Sequence, residues 1–203
     1  FGTLAASVPQ AAVEPLRATV RVRDPALLLY TSGTTGRPKG VMIEHRGIAN
    51  LVASDLDTFG LGPEDRVAQG SSPAYDSSVE ETWLALSCGA AVVVMDDETS
   101  RLGPDLVPWL RDERITVFSG VPTMYVYLSR DIPLESCDLS SLRLAVVGGA
   151  PIPVEVQREF IARSGVTIVD WYGCTGWAST TSPLWEPGAP ERYGSIGKKL
   201  PFP

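Results

Sequence analysis

The sequence predicts an α/β fold built on a largely parallel sheet with flanking helices. Short apolar runs, "ALLLY" (26–30), "AAVVVM" (90–95), "ITVFSG" (115–120), "LRLAVVGG" (142–149) and "VTIVDWYG" (166–173), alternate with segments of helical spacing. The last four begin roughly 25 residues apart, the length of a strand, a crossover helix and a return. Runs of this kind suit strands covered on both faces.

Taken in chain order, residues 1–25 are rich in Ala, Pro and Val without clear periodicity and predict a partly ordered lead-in, with the domain itself over 26–203. The run ending at Tyr30 opens a loop rich in glycine and hydroxyl groups. The stretch 100–116, "SRLGPDLVPWLRDERIT", reads as an amphipathic helix that packs Trp109 and Leu110 on the sheet and leaves its charges in water. Ligands of open α/β sheets collect at the carboxyl ends of the strands. Those ends are predicted at Tyr30–Gly33, Ser119 and Gly120, Gly148–Ala150, and Trp171–Thr175, where small and polar residues concentrate.

Composition narrows the function classes. With 203 residues the chain can bury a substantial core, and its formal charge of -7 has the wrong sign for gripping a nucleic acid backbone. No run of about 18 apolar residues would span a bilayer. Three cysteines without a close pair argue against a disulfide framework and fit a cytoplasmic setting. His45 is the single histidine, so a multi-histidine metal centre is excluded; His45 is expected to cap or orient the helix after the loop. The chain starts at Phe1 and stops in the Gly/Pro-rich "GSIGKKLPFP", from which it is expected to be a piece of a longer protein.

The string "YTSGTTGRPKG" (30–40) carries three glycines, five hydroxyl side chains and two cations. Exposed N–H groups, hydroxyls and the Lys39 ammonium are what a polyphosphate requires. The spacing differs from GxxxxGK[ST], since Lys39 follows Gly36 by three positions and precedes Gly40, so a P-loop kinase or GTPase is excluded.

This string resembles the phosphate loop of the adenylate-forming superfamily, which includes acyl-CoA synthetases, luciferases and the amino-acid adenylation domains of nonribosomal peptide synthetases. The resemblance continues through "GVMIEHRGIANL" (40–51), "YDSSVEETWLALSCGA" (75–90), "GVPTMY" (120–125), "LRLAVVGGAPIP" (142–153) and "WYGCTG" (171–176). It implies the central part of the large N-terminal domain of such an enzyme, without the small C-terminal domain, and a piece that is inactive alone. It further implies ATP and Mg²⁺ as cofactors, with Thr31, Ser32, Gly33, Thr34, Thr35, Gly36 and Lys39 around the phosphates. Gly149, Ala150, Pro151, Tyr172 and Gly173 would wall the adenine, and Thr175 would lie near the phosphates and the metal. Lys39 would be the catalytic cation. The family almost always has glutamate after that threonine as a metal ligand; this chain has Gly176, which offers a carbonyl alone.

The substrate side is implied in the same way as Asp76, Ser77, Glu80, Ser119, Val146, Gly148, Trp171, Ser179 and Thr180. Asp76 reads by itself as a helix N-cap; by resemblance it binds the α-ammonium of an amino acid, which favours an amino acid over a fatty or aryl acid. Glu80 lies one helical turn on. It either meets a second ammonium, as in lysine, β-lysine, ornithine or diaminobutyrate, or belongs with Glu81 to an exposed acidic face. Small residues at Ser119 and Gly148 leave length for a side chain, while Trp171 narrows the cavity or stacks. The implied function is activation of an amino acid, expected to be a basic or diamino acid, for loading onto the phosphopantetheine thiol of a peptidyl or aryl carrier protein. An acyl-CoA synthetase and a non-catalytic nucleotide or amino-acid binding module remain the alternatives.

Overall fold

The computed structural model describes residues 19–33, 36–100, 104–175, 181–182 and 198–199. Most of the expected lead-in lies outside them; its end is a turn in which the Arg21 N–H donates to Asp24 Oδ2 at 2.8 Å.

The chain then forms β1 (Pro25–Thr31) and β2 (Lys39–Glu44), an antiparallel pair with Tyr30 opposite Gly40 and Thr31 opposite Lys39. Here the structure departs from the sequence-based expectation: among the described residues "ALLLY" pairs with β2 and is separate from the parallel sheet. The reason is connectivity. The loop 32–38 suffices for a hairpin, whereas a parallel neighbour needs a crossover of about a dozen residues or more. Leu29 is buried while Leu28 and Tyr30 are exposed, the alternation of a strand covered on one face.

Helix α1 (His45–Phe59) follows β2 directly and stops at Gly60, whose φ of 58° lets its N–H return to the Leu56 carbonyl. Next come β3 (Arg66–Gln69), α2 (Ser77–Cys88), β4 (Ala91–Val94), α3 (Asp97–Ser100) and α4 (Leu106–Asp112). The chain continues as β5 (Val117–Gly120), α5 (Pro122–Asp131), β6 (Leu144–Gly148), α6 (Val154–Ser164) and β7 (Ile168–Trp171). Two short strands, β8 (Thr181–Ser182) and β9 (Lys198–Lys199), pair antiparallel.

Five strands make a parallel sheet in the order β4-β3-β5-β6-β7. The fold is therefore α/β, as predicted. Strand β3, at the sheet's interior, escapes the sequence pattern, because Arg66 and Gln69 leave Val67 and Ala68 as its whole apolar signal. The chain steps from β3 outward to β4 and then back across to β5, so strand order reverses between β3 and β5. Right-handed crossovers place the β3-to-β4 helix on one face and the later helices on the other.

Core packing follows this division. On one face Val67, Val117, Leu144, Val146, Val169 and Trp171 meet Leu51 and Phe59 of α1 and Ala85 and Cys88 of α2. On the other, Phe118, Ala145, Val147 and Ile168 meet Leu110 of α4, Tyr125 of α5 and Phe160 of α6. The predicted helix at 100–116 is realised in α4, with Leu110 buried, Trp109 half-buried and Arg111 and Asp112 paired at the surface. Among the described residues no helix is long and apolar enough to cross a membrane.

Candidate active site

Strand order reverses between β3 and β5, and in such a sheet the crevice at the carboxyl ends of the strands beside the reversal is the usual ligand position. Asp76 heads α2 immediately after the loop that leaves β3. It occupies the N-cap and Oδ1 accepts the Ser77 N–H at 3.1 Å. The side chain is half-buried, and the cap reading is realised.

Strand alternation brings Ser119, Val146, Gly148 and Trp171 to one face of the sheet. Val117 and Val146 face α1 and α2; Ser119, two residues beyond Val117, shares its face and pairs with Val146 in register. Gly148 follows on the same face and pairs with Trp171. A Cβ on Gly148 would stand 3.3 Å from the Trp171 carbonyl, so backbone forms this part of the wall. The Trp171 ring packs at a tilt on Phe59, with centroids 5.0 Å apart at 39°. Behind the wall, the buried Tyr125 hydroxyl donates to the Val146 carbonyl at 3.0 Å and holds β6 in place.

The acidic residues of α2 divide by environment. Glu81 is buried and accepts the N–H groups of Gly70 at 3.1 Å and Ser71 at 3.0 Å, and the Ser71 hydroxyl at 2.7 Å. It therefore ties α2 to the loop after β3. Burial raises its pKa against the pull of those bonds. Glu80 is half-buried, which removes the reading of an exposed acidic face. Burial, then the charges of Glu81 and Asp76, push its carboxyl up to about 8.

Sequence reasoning missed Asp55. It is 0% exposed, neither carboxylate oxygen has a hydrogen-bond partner among the described residues, and burial followed by the Glu80 charge pushes it up to about 9. A signal existed. Leu51, Asp55 and Phe59 recur at helical spacing, and the two apolar members pack on the sheet face that carries Val146 and Trp171. A carboxyl at the centre of an apolar stripe is an anomaly readable without coordinates.

In the turn after β1, Gly33 has φ 63°, and a Cβ there would collide with the Arg37 carbonyl, so the turn requires glycine. The Gly36 N–H closes it onto the Gly33 carbonyl at 3.2 Å. Lys39 opens β2 opposite Thr31 and is exposed, as is Ser32, while Thr31 is half-buried. At the β6 and β7 ends, Gly149 takes φ 83°, Ala150, Pro151, Tyr172 and Gly173 are exposed, and Thr175 is half-buried. Thr34, Thr35, Gly176, Ser179 and Thr180 lie outside the described residues.

The donor set at the loop fits a triphosphate by its chemistry, since a left-handed turn, the Thr31 and Ser32 hydroxyls and the exposed Lys39 ammonium lie together at one end of the β1–β2 pair. For a metal the described residues do not suffice: no group of three or more His, Cys, Asp or Glu side chains is placed to hold an ion, and Thr175 is a lone hydroxyl. His45 begins α1, but Glu44 takes the cap position without a side-chain bond. The His45 ring instead lines an apolar groove of about 470 Å³ with Ile48, Val52, Leu56 and Trp83. None of the predicted ligand residues borders that groove, so it is not the site described here.

Comparison with known proteins bears on this arrangement. The family described as AMP-binding enzyme matches residues 3–203. Tyrocidine synthase 2 of Brevibacillus parabrevis is 34% identical over 179 residues, spanning 87% of this chain and 5% of that protein. Delta-poly-L-ornithine synthetase of Acinetobacter baumannii is 33% identical over 179 residues, spanning 88% of this chain and 13% of that protein. The nonribosomal peptide synthetase FmoA3 in its AMPPNP-bound form superposes with a TM-score of 0.71 at 34% identity, over 88% of this chain and 19% of that one. The chain thus spans a small fraction of the length of these relatives. A match over nearly every residue, on a parallel sheet preceded by a glycine-dependent turn, establishes that the chain belongs to the AMP-binding enzyme family, the adenylate-forming proteins.

Proposed function

We propose that the intact protein uses ATP to activate an amino acid as its aminoacyl-adenylate, for transfer to the phosphopantetheine thiol of a carrier protein. The observation that supports this reading is that Ser119, Val146, Gly148 and Trp171 share one face of the sheet, the face on which α2 packs, and that Asp76 heads α2. An anionic cap residue beside a pocket wall suits an α-ammonium. The loop from Thr31 to Lys39 would hold the β- and γ-phosphates. A substrate carboxylate approaching a polyanion is repelled, so the Lys39 ammonium and the loop N–H groups serve by neutralising charge and aligning the α-phosphate for attack. Attack forms the acyl–phosphate bond and releases pyrophosphate. Gly149, Ala150, Pro151, Tyr172 and Gly173 would flank the adenine, with the exposed Tyr172 ring as its stacking surface.

The side-chain preference we propose is for a basic or diamino acid. Glu80 supports it, since a half-buried carboxyl in a pocket calls for a cation. One relative is by name a poly-L-ornithine synthetase, which is consistent with the same chemistry. ATP–pyrophosphate exchange by the full-length protein, across proteinogenic and diamino acids, tests the reading. Exchange that depends on fatty acids, or nucleotide binding with no exchange for any acid, would replace it by an acyl-CoA synthetase or a binding module respectively.

A further inference from the structure

We propose that Asp55 is a specificity residue for a substrate bearing a second ammonium, which Asp55 of α1 and Glu80 of α2 grip from two sides. The inference rests on the amino-acid reading above and extends it to a residue on a different helix.

The geometry is a charged group where packing calls for an apolar one. Asp55 stands between Leu51 and Phe59 on the stripe of α1 turned to the sheet. Phe59 touches Trp171, itself in register with Gly148, so the stripe runs over the proposed side-chain pocket. Two buried carboxylate oxygens without a partner are costly in any fold. The other buried carboxyl of this layer, Glu81, has hydrogen bonds to both of its oxygens. The group nearest in charge to Asp55 is Glu80, a second acid, with Glu81 and Asp76 beyond it on α2. Among the described residues no basic side chain answers them.

A shared proton would satisfy one oxygen of each acid at most. A primary ammonium has three donors and one positive charge, enough to reach Asp55 and Glu80 together. Without a bound cation, burial and the neighbouring acids of α2 favour the protonated form of both groups; binding an ammonium expels those protons to solvent. A neutral side chain of the same length gains nothing from either acid.

The test uses the full-length protein, measuring ATP–pyrophosphate exchange with ornithine, lysine and the uncharged norvaline and norleucine. D55N is expected to raise the KM for ornithine or lysine by about tenfold or more, the scale of one charge-assisted bond, with KM for ATP unchanged and kcat less affected. The norleucine KM should not rise. If E80Q weakens the diamino acids while D55N leaves their KM within about twofold, Asp55 is overturned and the substrate reading stands. If the wild type exchanges with neutral amino acids and ignores basic ones, the substrate class fails and the clamp with it.

Calorimetry of ornithine binding at pH 7 in two buffers of different ionisation enthalpy gives a count that needs no Asp55 variant. Between about one and two protons should leave the wild type, and about one should still leave E80Q. No proton release from E80Q would remove Asp55 from the clamp.

Discussion

Arg143 grips Asp65 with two donors, Nε to Oδ1 at 2.9 Å and Nη2 to Oδ2 at 2.7 Å. The Thr116 hydroxyl adds a third contact to Oδ1 at 2.6 Å, and the Gly62 N–H a fourth to Oδ2 at 3.0 Å. One buried carboxylate thereby ties together the residues that enter β3, β5 and β6, at the end of the sheet opposite the crevice. Burial raises the Asp65 pKa, but the bonds from Arg143, Thr116 and Gly62 outweigh it and hold the carboxyl down to about 2.

Removing the cation should therefore unfasten the sheet without touching the site. Arg143→Ala is expected to destabilise the fold by about 2 kcal/mol, below the range for a fully buried pair because Arg143 is part-exposed. Urea denaturation at pH 7 measures it. Below the melting range, KM values for ATP and the amino acid should stay at wild-type levels. The folded carboxyl is more acidic than the unfolded one, so this stabilisation is present above about pH 4 and fades as the pH falls toward 2.

The network also marks what the sequence hides. The strands β4 to β7 announce themselves as apolar runs, and the carboxyl ends of the last three nominate Ser119, Gly148 and Trp171 in advance. The interior strand β3 does not, since half its residues are polar. Its placement depends on long-range contacts such as Arg66 N–H to Thr116 Oγ1 at 2.9 Å, invisible to local pattern. "ALLLY" misleads for the opposite reason: a strong apolar run can serve a two-stranded ribbon as well as a sheet, and the short return through 32–38 decides which. At the site, motif resemblance reached residues on strand ends and on α2. Asp55 lies on α1 outside those pocket positions, and its significance emerges once Leu51 and Phe59 are seen against the sheet.

Asp55 gives the fold an unusual pH response in the opposite direction. Its carboxyl rises from an ordinary 3.8 to about 9, through burial and then Glu80, which itself rises to about 8 beside Glu81 and Asp76. The folded state keeps protons that the unfolded chain has released, so these groups cause stability to fall as pH climbs from about 4 to about 9. Asp55→Asn cannot ionise. At pH 9 it should be more stable than the wild type by at least about 1 kcal/mol, and the advantage should vanish near pH 4. Thermal denaturation at pH 5, 7 and 9 checks the trend; a wild-type Tm that holds constant from pH 5 to 9 would contradict it.

Lys39 stands exposed at the start of β2, opposite Thr31. No ion pair within the described residues engages it, so its substitution should leave stability within about 0.5 kcal/mol. Lys39→Ala is expected to slow amino-acid-dependent pyrophosphate exchange by about 100-fold, the scale of losing one preorganised charge on the transition state. Arginine at this position should restore part of the rate, since the charge returns with a different shape. Binding of the amino acid alone, followed by calorimetry, should not change.

Tyr125 offers a separate handle on the proposed substrate pocket. It is fully buried, and its hydroxyl donates to the Val146 carbonyl at 3.0 Å and more weakly to the Phe118 carbonyl at 3.4 Å, bridging β5 and β6 one residue from Ser119. Burial raises its pKa, so it remains a donor throughout the accessible pH range. The ring is held edge-on by Phe160, with centroids 5.2 Å apart at 90°, and that packing survives removal of the oxygen. Tyr125→Phe should cost about 1 kcal/mol, the net value of a buried hydrogen bond. Because Val146 and Ser119 lie on the face opposite the ring, the lost tether should appear as a severalfold rise in KM for the amino acid, while KM for ATP stays put. A variant destabilised by that amount whose amino-acid KM equals the wild type's would show that β6 keeps its position through the ladder alone, and that the α5 layer plays no part in shaping the pocket.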